Sequence, residues 1–184
     1  MAVEKENLEI VKVLLTNDKI DINILKSESF GKKFIKSDKK IIKSNMLYYA
    51  ILNNKNKALK LFLSECKNNK IDLSAKLFEA IIGKEIEIIE KPPLYIAVEN
   101  KNIEAVQLLI LNKHINVNEK SYHFIGNARI EERTPLHLAV ENGYIEIIKL
   151  LLECKEIDIN IEDEQAKKPI DYASNDEIKQ LLNH

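Results

Sequence analysis

The sequence predicts an all-α repeat solenoid, in which helix–turn–helix units stack in a row and carry β-hairpin fingers between them. Three observations predict this fold class. A sequence pattern recurs five times along the 184 residues. The second helix of each unit is too apolar to be stable alone, and three of the four glycines fall in the long connections between units.

The repeated pattern is clearest at residues 139–152, which read Ala-Val-Glu-Asn-Gly-Tyr-Ile-Glu-Ile-Ile-Lys-Leu-Leu-Leu. Close copies occupy residues 97–110 and 2–15, a weaker copy occupies residues 50–63, and a shortened copy closes the chain. The anchoring alanines, which are 48, 47, 42 and 34 residues apart, are Ala2, Ala50, Ala97, Ala139 and Ala173. Only the last spacing equals a bare helix–turn–helix unit, so the other units carry extra residues between them.

Within one unit, each helix has a start, a buried face and an end. Thr134 can cap the first helix and Pro135 suits its first turn. Gly143 can end that helix in a left-handed conformation. The second helix, residues 145–152, is apolar on most sides and leaves only a narrow polar stripe. Such a helix is stable only when neighbouring units cover it, which predicts stacking.

Three long connections each contain one glycine, in the pairs Gly31-Lys32, Gly83-Lys84 and Gly126-Asn127. A glycine at the first central position suits a two-residue type II′ hairpin turn. The flanking residues 122–125 and 128–131 have the composition of strands. These connections predict elongated β-hairpin fingers, although residues 75–82 also fit a short helix that ends at Gly83.

The run Thr134-Pro-Leu-His-Leu-Ala139 resembles the ankyrin repeat. The resemblance covers nearly the whole chain and implies one ankyrin repeat domain, residues 1–184. It comprises a half repeat at 2–24, full repeats at 45–74, 92–118 and 134–161, and a C-terminal capping repeat at 168–182. Only one unit keeps Thr-Pro-Leu-His, and the family's glycine after the second helix is absent. The resemblance also implies that His137 has a structural role, hydrogen bonding across loops.

The resemblance implies that the chain is a protein–protein interaction module, which binds another protein through its finger tips and the concave face of its first helices. Ile88 and Ile89 are predicted as apolar anchors of that surface, with packing inside their own finger as the alternative. The first-helix positions that the family pattern assigns to the surface are Leu52, Asn53, Glu99, Asn100, Glu141 and Asn142. The finger positions are Ile88, Ile89, Lys91, Ile130, Glu131, Arg133, Glu164, Gln165 and Lys167.

The sequence contains no catalytic signature, so we expect no enzyme activity, no cofactor and no metal. A phosphate-binding loop needs several glycines close together, whereas the nearest pair, Gly126 and Gly143, is 17 residues apart. No Gly-x-Ser-x-Gly or His-Glu-x-x-His motif occurs. The histidines and the two cysteines share no spacing typical of a zinc site.

The composition predicts an intracellular, cytoplasmic protein. The longest hydrophobic run is the seven residues 46–52, far from the roughly 20 that span a bilayer. The N-terminus lacks the apolar segment of a signal peptide. Two cysteines, Cys66 and Cys154, are too few for a disulfide framework, which fits a reducing compartment.

Two further interactions are open at this point. Residues 26–43 hold seven lysines against Glu28 and Asp38, with interleaved aromatic and aliphatic residues. That segment predicts, as the alternative function, binding of nucleic acid or anionic lipid. A second alternative is that the chain is a regulatory fragment of a larger protein, since ankyrin arrays are often joined to other domains. Ala2 falls inside a first helix, so the N-terminal repeat is incomplete and is expected to allow self-association through its uncovered edge.

Overall fold

The computed structural model describes residues 8–9, 26–30, 39–44, 46–65, 76–82 and 85–183. Nearly all of the predicted half repeat at 2–24 lies outside the described residues, and so do the turns at Gly31-Lys32 and Gly83-Lys84. The predicted self-association through the N-terminal repeat therefore stays a prediction.

Four helical pairs follow one another along the described chain. The first three units are Met46–Leu52 with Asn56–Glu65, Pro93–Glu99 with Ile103–Ile110, and Pro135–Glu141 with Ile145–Leu152. The terminal unit pairs a 3-10 helix, Pro169–Tyr172, with the helix Asp176–Leu182. First helices contact the first helices of neighbouring units, and second helices contact second helices, so the units form a stack.

Polar side chains begin several of these helices. The Thr134 hydroxyl accepts a hydrogen bond from the backbone N–H of His137, while the His137 side chain accepts one from the N–H of Thr134. Asn102 and Asn175 cap the helices that follow them in the same way. Each cap satisfies N–H groups that the helix itself cannot pair, which defines where the helix starts.

The turn between the two helices of a unit uses a left-handed residue in every full unit. Gly143 has a φ of 67°, as the sequence predicts. The equivalent positions hold Asn54, with φ 53°, and Lys101, with φ 51°. Asparagine tolerates this conformation, whereas lysine pays about 1–2 kcal/mol for it. The turn geometry is therefore imposed by the stacked helices on either side rather than by the residue that occupies it.

The core runs between the two helical layers. Its largest fully buried side chains come from the helices of all three full units, and Leu77 joins them from the finger that follows the first unit. The helical ones are Tyr48, Phe62, Leu47, Ile51, Leu59, Leu94, Ile96, Leu109, Leu136, Ile147 and Ile148. Ile178 and Leu182 extend the same core into the terminal unit. No unit could bury these side chains alone, so their burial is a property of the stack.

Six strands form one antiparallel sheet in chain order. They are β1 (Lys26–Phe30), β2 (Lys39–Ser44), β3 (Leu77–Ile82), β4 (Ile86–Lys91), β5 (Ser121–Ile125) and β6 (Ala128–Arg133). β3 is a strand along its whole length, so the alternative of a helix over residues 75–82 is wrong.

The description of the fold as all-α needs correction, because the fingers join edge to edge into a continuous sheet. Stacked helices lie about 8–10 Å apart. Neighbouring strands of a sheet lie about 4.8 Å apart, so the two strands of one hairpin occupy about the same width as one helical unit of the stack. Each hairpin edge therefore meets its neighbour at ladder distance, as β2 meets β3 and β4 meets β5.

The described hairpin turn has the predicted form. Gly126 and Asn127 link Ile125 to its partner Ala128. Gly126 has a φ of 58°, and the positive-φ residues in the described chain do not include Asn127. Type I′ requires positive φ at both central residues and type II′ only at the first, so the turn fits type II′. Two residues beyond Ala128, Ile130 forms a bulge, since His123 pairs with Glu131 and Phe124 with Arg129.

Candidate functional site

The sheet has two faces with different surroundings, because successive side chains of a strand point to opposite sides. We define the inner face as the side whose residues reach the first helices. Its residues on the last three strands include Glu87, Ile89, Lys91, His123, Glu131 and Arg133. The outer face carries Ile86, Ile88, Glu90, Tyr122, Phe124 and Arg129.

Ion pairs fasten the base of two fingers to the ends of two first helices. Lys91, the last residue of β4, donates to both carboxylate oxygens of Glu99 at 2.7 and 2.9 Å. Arg133, the last residue of β6, makes the equivalent pair with Glu141. Each pair joins a predicted finger residue to a predicted helix residue eight positions later. The sheet and the helix ends are thus joined into one surface.

A histidine lies between two carboxylates in the middle of the inner face. His123 Nε2 lies 2.5 Å from Glu87 Oε1, and its Nδ1 lies 3.9 Å from Glu131 Oε2. The hydroxyl of Tyr95, on the first helix, donates to Glu131 at 3.5 Å. Glu87 and His123 were absent from the predicted surface. Alternation along β4 places Glu87 on the same face as Ile89. The pairing of β4 with β5, which the sequence does not reveal, then adds His123 to that face.

Ile88 and Ile89 do not share a surface, although both were predicted as anchors of one groove. Ile88 lies on the outer face opposite Ala80 and Phe124, and Ile89 lies on the inner face opposite Glu79 and His123. Both are half-buried. The alternation of side chains along β4 makes this separation unavoidable. Of these two isoleucines, only Ile89 therefore shares a face with Lys91 and Glu131.

The outer face is organised by aromatic rings. Tyr122 and Phe124 stack with ring centroids 6.2 Å apart, and the Arg129 guanidinium lies over both rings. The Lys76 ammonium also lies over the Tyr122 ring, 4.7 Å from its centroid. Arg129 is also paired with Glu132, which accepts from Lys120 as well. These contacts occupy the outer face with interactions inside the sheet.

A side chain on each first helix reaches the base of the next finger. His137 Nε2 donates to the carbonyl of Lys167 at 3.1 Å, which confirms its predicted role between loops. In the preceding units tyrosines take its place. The Tyr48 hydroxyl donates to the carbonyl of Lys91 at 3.2 Å, while Tyr95 reaches Glu131. Burial raises the pKa of Tyr95 far above its ordinary value, so its hydroxyl stays protonated and remains a donor.

The terminal unit has a tight turn in place of a finger. Asp163 is buried and accepts from the N–H groups of Gln165 and Lys167 and from the Tyr172 hydroxyl. Burial alone would raise the pKa of Asp163, but these hydrogen bonds outweigh it and the pKa is lowered. Burial and the Asp163 carboxylate raise the pKa of Tyr172 to about 12.

The three predicted residues of this turn are partly engaged in holding it. Glu164 accepts from the backbone N–H of Glu132, 2.8 Å away on the free edge of β6. The Lys167 ammonium lies over the Tyr172 ring. Gln165 is exposed, and its side-chain amide donates to the carboxylate of the neighbouring residue Glu164.

Comparison with known protein families gives a match over the whole chain. The family model described as "Ankyrin repeats (3 copies)" matches residues 1–121, 73–163 and 94–184. The chain belongs to the ankyrin repeat family. Ankyrin repeats are generally protein–protein interaction modules and are typically non-enzymatic scaffolds.

Solved ankyrin repeat structures share the fold of this chain. One, titled "Crystal Structure of EF0377 an Ankyrin Repeat Protein", is 14% identical with a TM-score of 0.61, and the match covers 98% of this chain and 75% of that one. The ankyrin repeat domain of Bcl-3, described as "a unique member of the IkappaB protein family", is 20% identical with a TM-score of 0.57. The Bcl-3 match covers 77% of this chain, and the chain spans about half the length of that domain, 52%. No curated protein sequence matches the chain significantly.

The predicted helix residues lie at the ends of the ankyrin first helices, next to the inner face. Leu52 is exposed, and Asn100 is exposed as the residue after its helix. Asn53 and Asn142 each donate a side-chain hydrogen bond to a carbonyl of their own helix. These asparagines therefore combine exposure with a capping role.

The described residues were compared with two other kinds of site, a metal centre and a membrane span, and they match neither. No group of three or more histidine, cysteine, aspartate or glutamate side chains there is placed to hold a metal ion. Among the helices of the described residues, none is both long and apolar enough to cross a membrane.

The burial of His137 predicts a pH dependence of stability. Burial lowers the pKa of His137 below its ordinary value of 6.5. The unfolded chain therefore takes up a proton before the folded chain does. The stability that His137 contributes is complete above pH 6.5 and decreases as the pH falls below that value. We expect the urea midpoint to fall between about pH 7 and about pH 5.

A variant without this histidine separates its effect from the other titrating groups. His137→Tyr should flatten the pH dependence in that window, because tyrosine stays neutral throughout it. The Asp163 contribution is lost only below its ordinary pKa of 3.8, so it does not overlap. An unchanged slope in the variant would show that His137 is not the group responsible.

Proposed function

We propose that this chain binds a partner protein through the inner face of its sheet and the adjoining ends of its first helices. The observation that carries the proposal is the convergence of finger and helix residues on one connected surface. Lys91 joins Glu99 and Arg133 joins Glu141, so the surface is preorganised before a partner arrives. A preorganised surface loses less conformational entropy on binding, which favours affinity.

Apolar contact area is available on the same surface. Ile89 projects from the middle of the inner face, and Leu52 is exposed at the end of the first helix of the 46–65 unit. Half-exposed aliphatic residues inside a charged rim are typical of interface anchors. The positions proposed to bind the partner are Leu52, Asn53, Ile89, Lys91, Glu99, Asn100, Glu131, Arg133, Glu141 and Asn142.

Five predicted positions are placed differently in the proposal. Ile88 lies on the outer face, and Ile130 lies in the bulge of the edge strand with 41% of its surface exposed. Glu164 and Lys167 hold the terminal turn, so they border the surface rather than form it, together with Gln165.

Matched variants of neighbouring isoleucines test the proposal. Ile89→Ser and Ile88→Ser change the same residue type on one strand but act on opposite faces. We expect Ile89→Ser to weaken the capture of a specific protein from a cell lysate by about tenfold or more, since hot-spot truncations cost at least about 1–2 kcal/mol. Ile88→Ser should leave that capture within about twofold. The measurement is quantitative affinity capture, with equal thermal unfolding midpoints as the folding control.

The reverse pattern, with capture lost only in Ile88→Ser, would place the interface on the outer face and contradict the proposal. The alternative of polyanion binding depends on the lysines of residues 26–43. The backbones of β1 and β2 are described, but the side chains of these lysines lie outside the described residues. Binding of nucleic acid or anionic lipid by this segment therefore stays a prediction.

A further inference from the structure

The charges of the inner face are arranged in two layers. The Lys91 side chain is only 18% exposed, whereas its partner Glu99 is 39% exposed. Arg133 is 15% exposed beneath Glu141, which is 40% exposed. Glu87 is likewise more exposed than His123, the residue it contacts. At each of these contacts the carboxylate is the outer group and the nitrogen base is the inner one.

We define the acidic strip as the four inner-face carboxylates Glu87, Glu99, Glu131 and Glu141. Among the described side chains, the permanent cations that pair with these carboxylates are Lys91 and Arg133. One further cation, Lys167, lies over the Tyr172 ring that Arg133 also contacts. The strip therefore keeps a net negative charge after its internal ion pairs are counted. The cations are less exposed than the carboxylates, so an approaching molecule meets carboxylate oxygens first. Because electrostatic interactions strengthen at short range, the nearer carboxylates give this surface a negative potential.

We propose that the partner segment which occupies the inner face is a basic one, with arginine or lysine side chains that pair with the acidic strip and an aliphatic residue that packs on Ile89. The inference rests on the proposed function and adds the chemistry of the partner to it. Charge complementarity of this kind raises the association rate and excludes partners of the wrong sign.

On the outer face the cation is the more exposed member of the ion pair, so the surface of the sheet is not acidic on both sides. Arg129 is 50% exposed over its partner Glu132, which is 17% exposed. A basic segment that approached the outer face would meet this guanidinium and the Lys76 ammonium above Tyr122. The two faces of one sheet therefore differ in the sign that they present, and only the inner face suits a basic partner.

Peptides of opposite charge test this inference directly. The probes are fluorescent dodecapeptides, one of alternating arginine and leucine and the other of alternating glutamate and leucine, and binding is measured by fluorescence anisotropy at low ionic strength. We expect the arginine peptide to bind at least about tenfold more tightly than the glutamate peptide. Its affinity should fall steeply with added salt, because the pairs are at the surface.

Two charge-matched double variants locate the binding. Glu87→Gln with Glu99→Gln removes two charges from the acidic strip and retains hydrogen-bond acceptors for His123 and Lys91. We expect this variant to bind the arginine peptide about three- to tenfold more weakly. Glu90→Gln with Glu146→Gln makes the same change in net charge on the outer face and on an exposed second-helix position. That control should bind within about twofold of the unchanged protein.

Three results would overturn the inference. They are equal or tighter binding of the glutamate peptide, no binding of the arginine peptide, and equal weakening by the two double variants. The capture experiment with Ile89→Ser and Ile88→Ser is scored separately. If capture depends on Ile89 but not on the acidic strip, the inner face is the interface and only its basic specificity is wrong.

Discussion

Replacing Leu109 by alanine is expected to lower the free energy of unfolding by about 2–5 kcal/mol. Leu109 has no exposed surface and lies in the second helix of the 93–110 unit, between the second helices of both neighbouring units. The shorter side chain leaves a cavity that helices packed on both sides cannot fill. The loss also weakens two interfaces between units, and these interfaces hold a repeat stack together.

Leu111 provides a control of the same residue type two positions away. It is 83% exposed, so Leu111→Ala should change the free energy of unfolding by no more than about 0.5 kcal/mol. Urea denaturation followed by circular dichroism measures both variants. Similar losses in the two variants would contradict the stacked arrangement of the second helices.

Replacing His137 by alanine is expected to cost about 2–4 kcal/mol, since it leaves buried polar groups unpaired and creates a small cavity. The imidazole is fully buried and lies 2.8 Å from the Thr134 hydroxyl and 3.1 Å from the Lys167 carbonyl oxygen. Because a carbonyl only accepts, Nε2 carries the hydrogen and Nδ1 accepts from the Thr134 N–H. Alanine can replace neither bond.

Tyrosine at the same position should restore part of the lost stability. Tyr48 occupies the equivalent place two units earlier, and its hydroxyl donates to the carbonyl of Lys91. We therefore expect His137→Tyr to be more stable than His137→Ala by about 1 kcal/mol or more. Urea denaturation at neutral pH is the measurement. Equal stability of the two variants would show that the bond to the carbonyl contributes little.

Recurrence along the chain was sufficient to predict the helices and their capping. The run from Thr134 to Ala139 contains the capping threonine, a proline for the first turn and the histidine that completes the capping box, and each of these acts locally. Gly126 likewise predicts its own hairpin turn, because few other residues adopt that φ at low cost. Lys101 was not predictable in this way, since its left-handed conformation follows from the helices around it.

The residues of the proposed surface could be predicted from the sequence only in part. Glu99 and Glu141 were assigned by their place in the repeat, and the structure brings each to the base of a finger. Ile88 was assigned to the same groove as Ile89 because neighbouring finger residues were grouped together, whereas neighbours in a strand point to opposite faces. His123 was missed because its neighbours, Glu87 and Glu131, belong to other strands.

The sequence by itself determined the helical pairs, their order and the presence of hairpins between them, since these depend on residues close together along the chain. Tertiary structure alone decided that the hairpins join into one sheet, which face each finger residue occupies, and which charges lie outermost. Those features depend on the spacing of stacked units and on the register between strands from different units. That register places Glu87 beside His123, although 36 residues separate them along the chain.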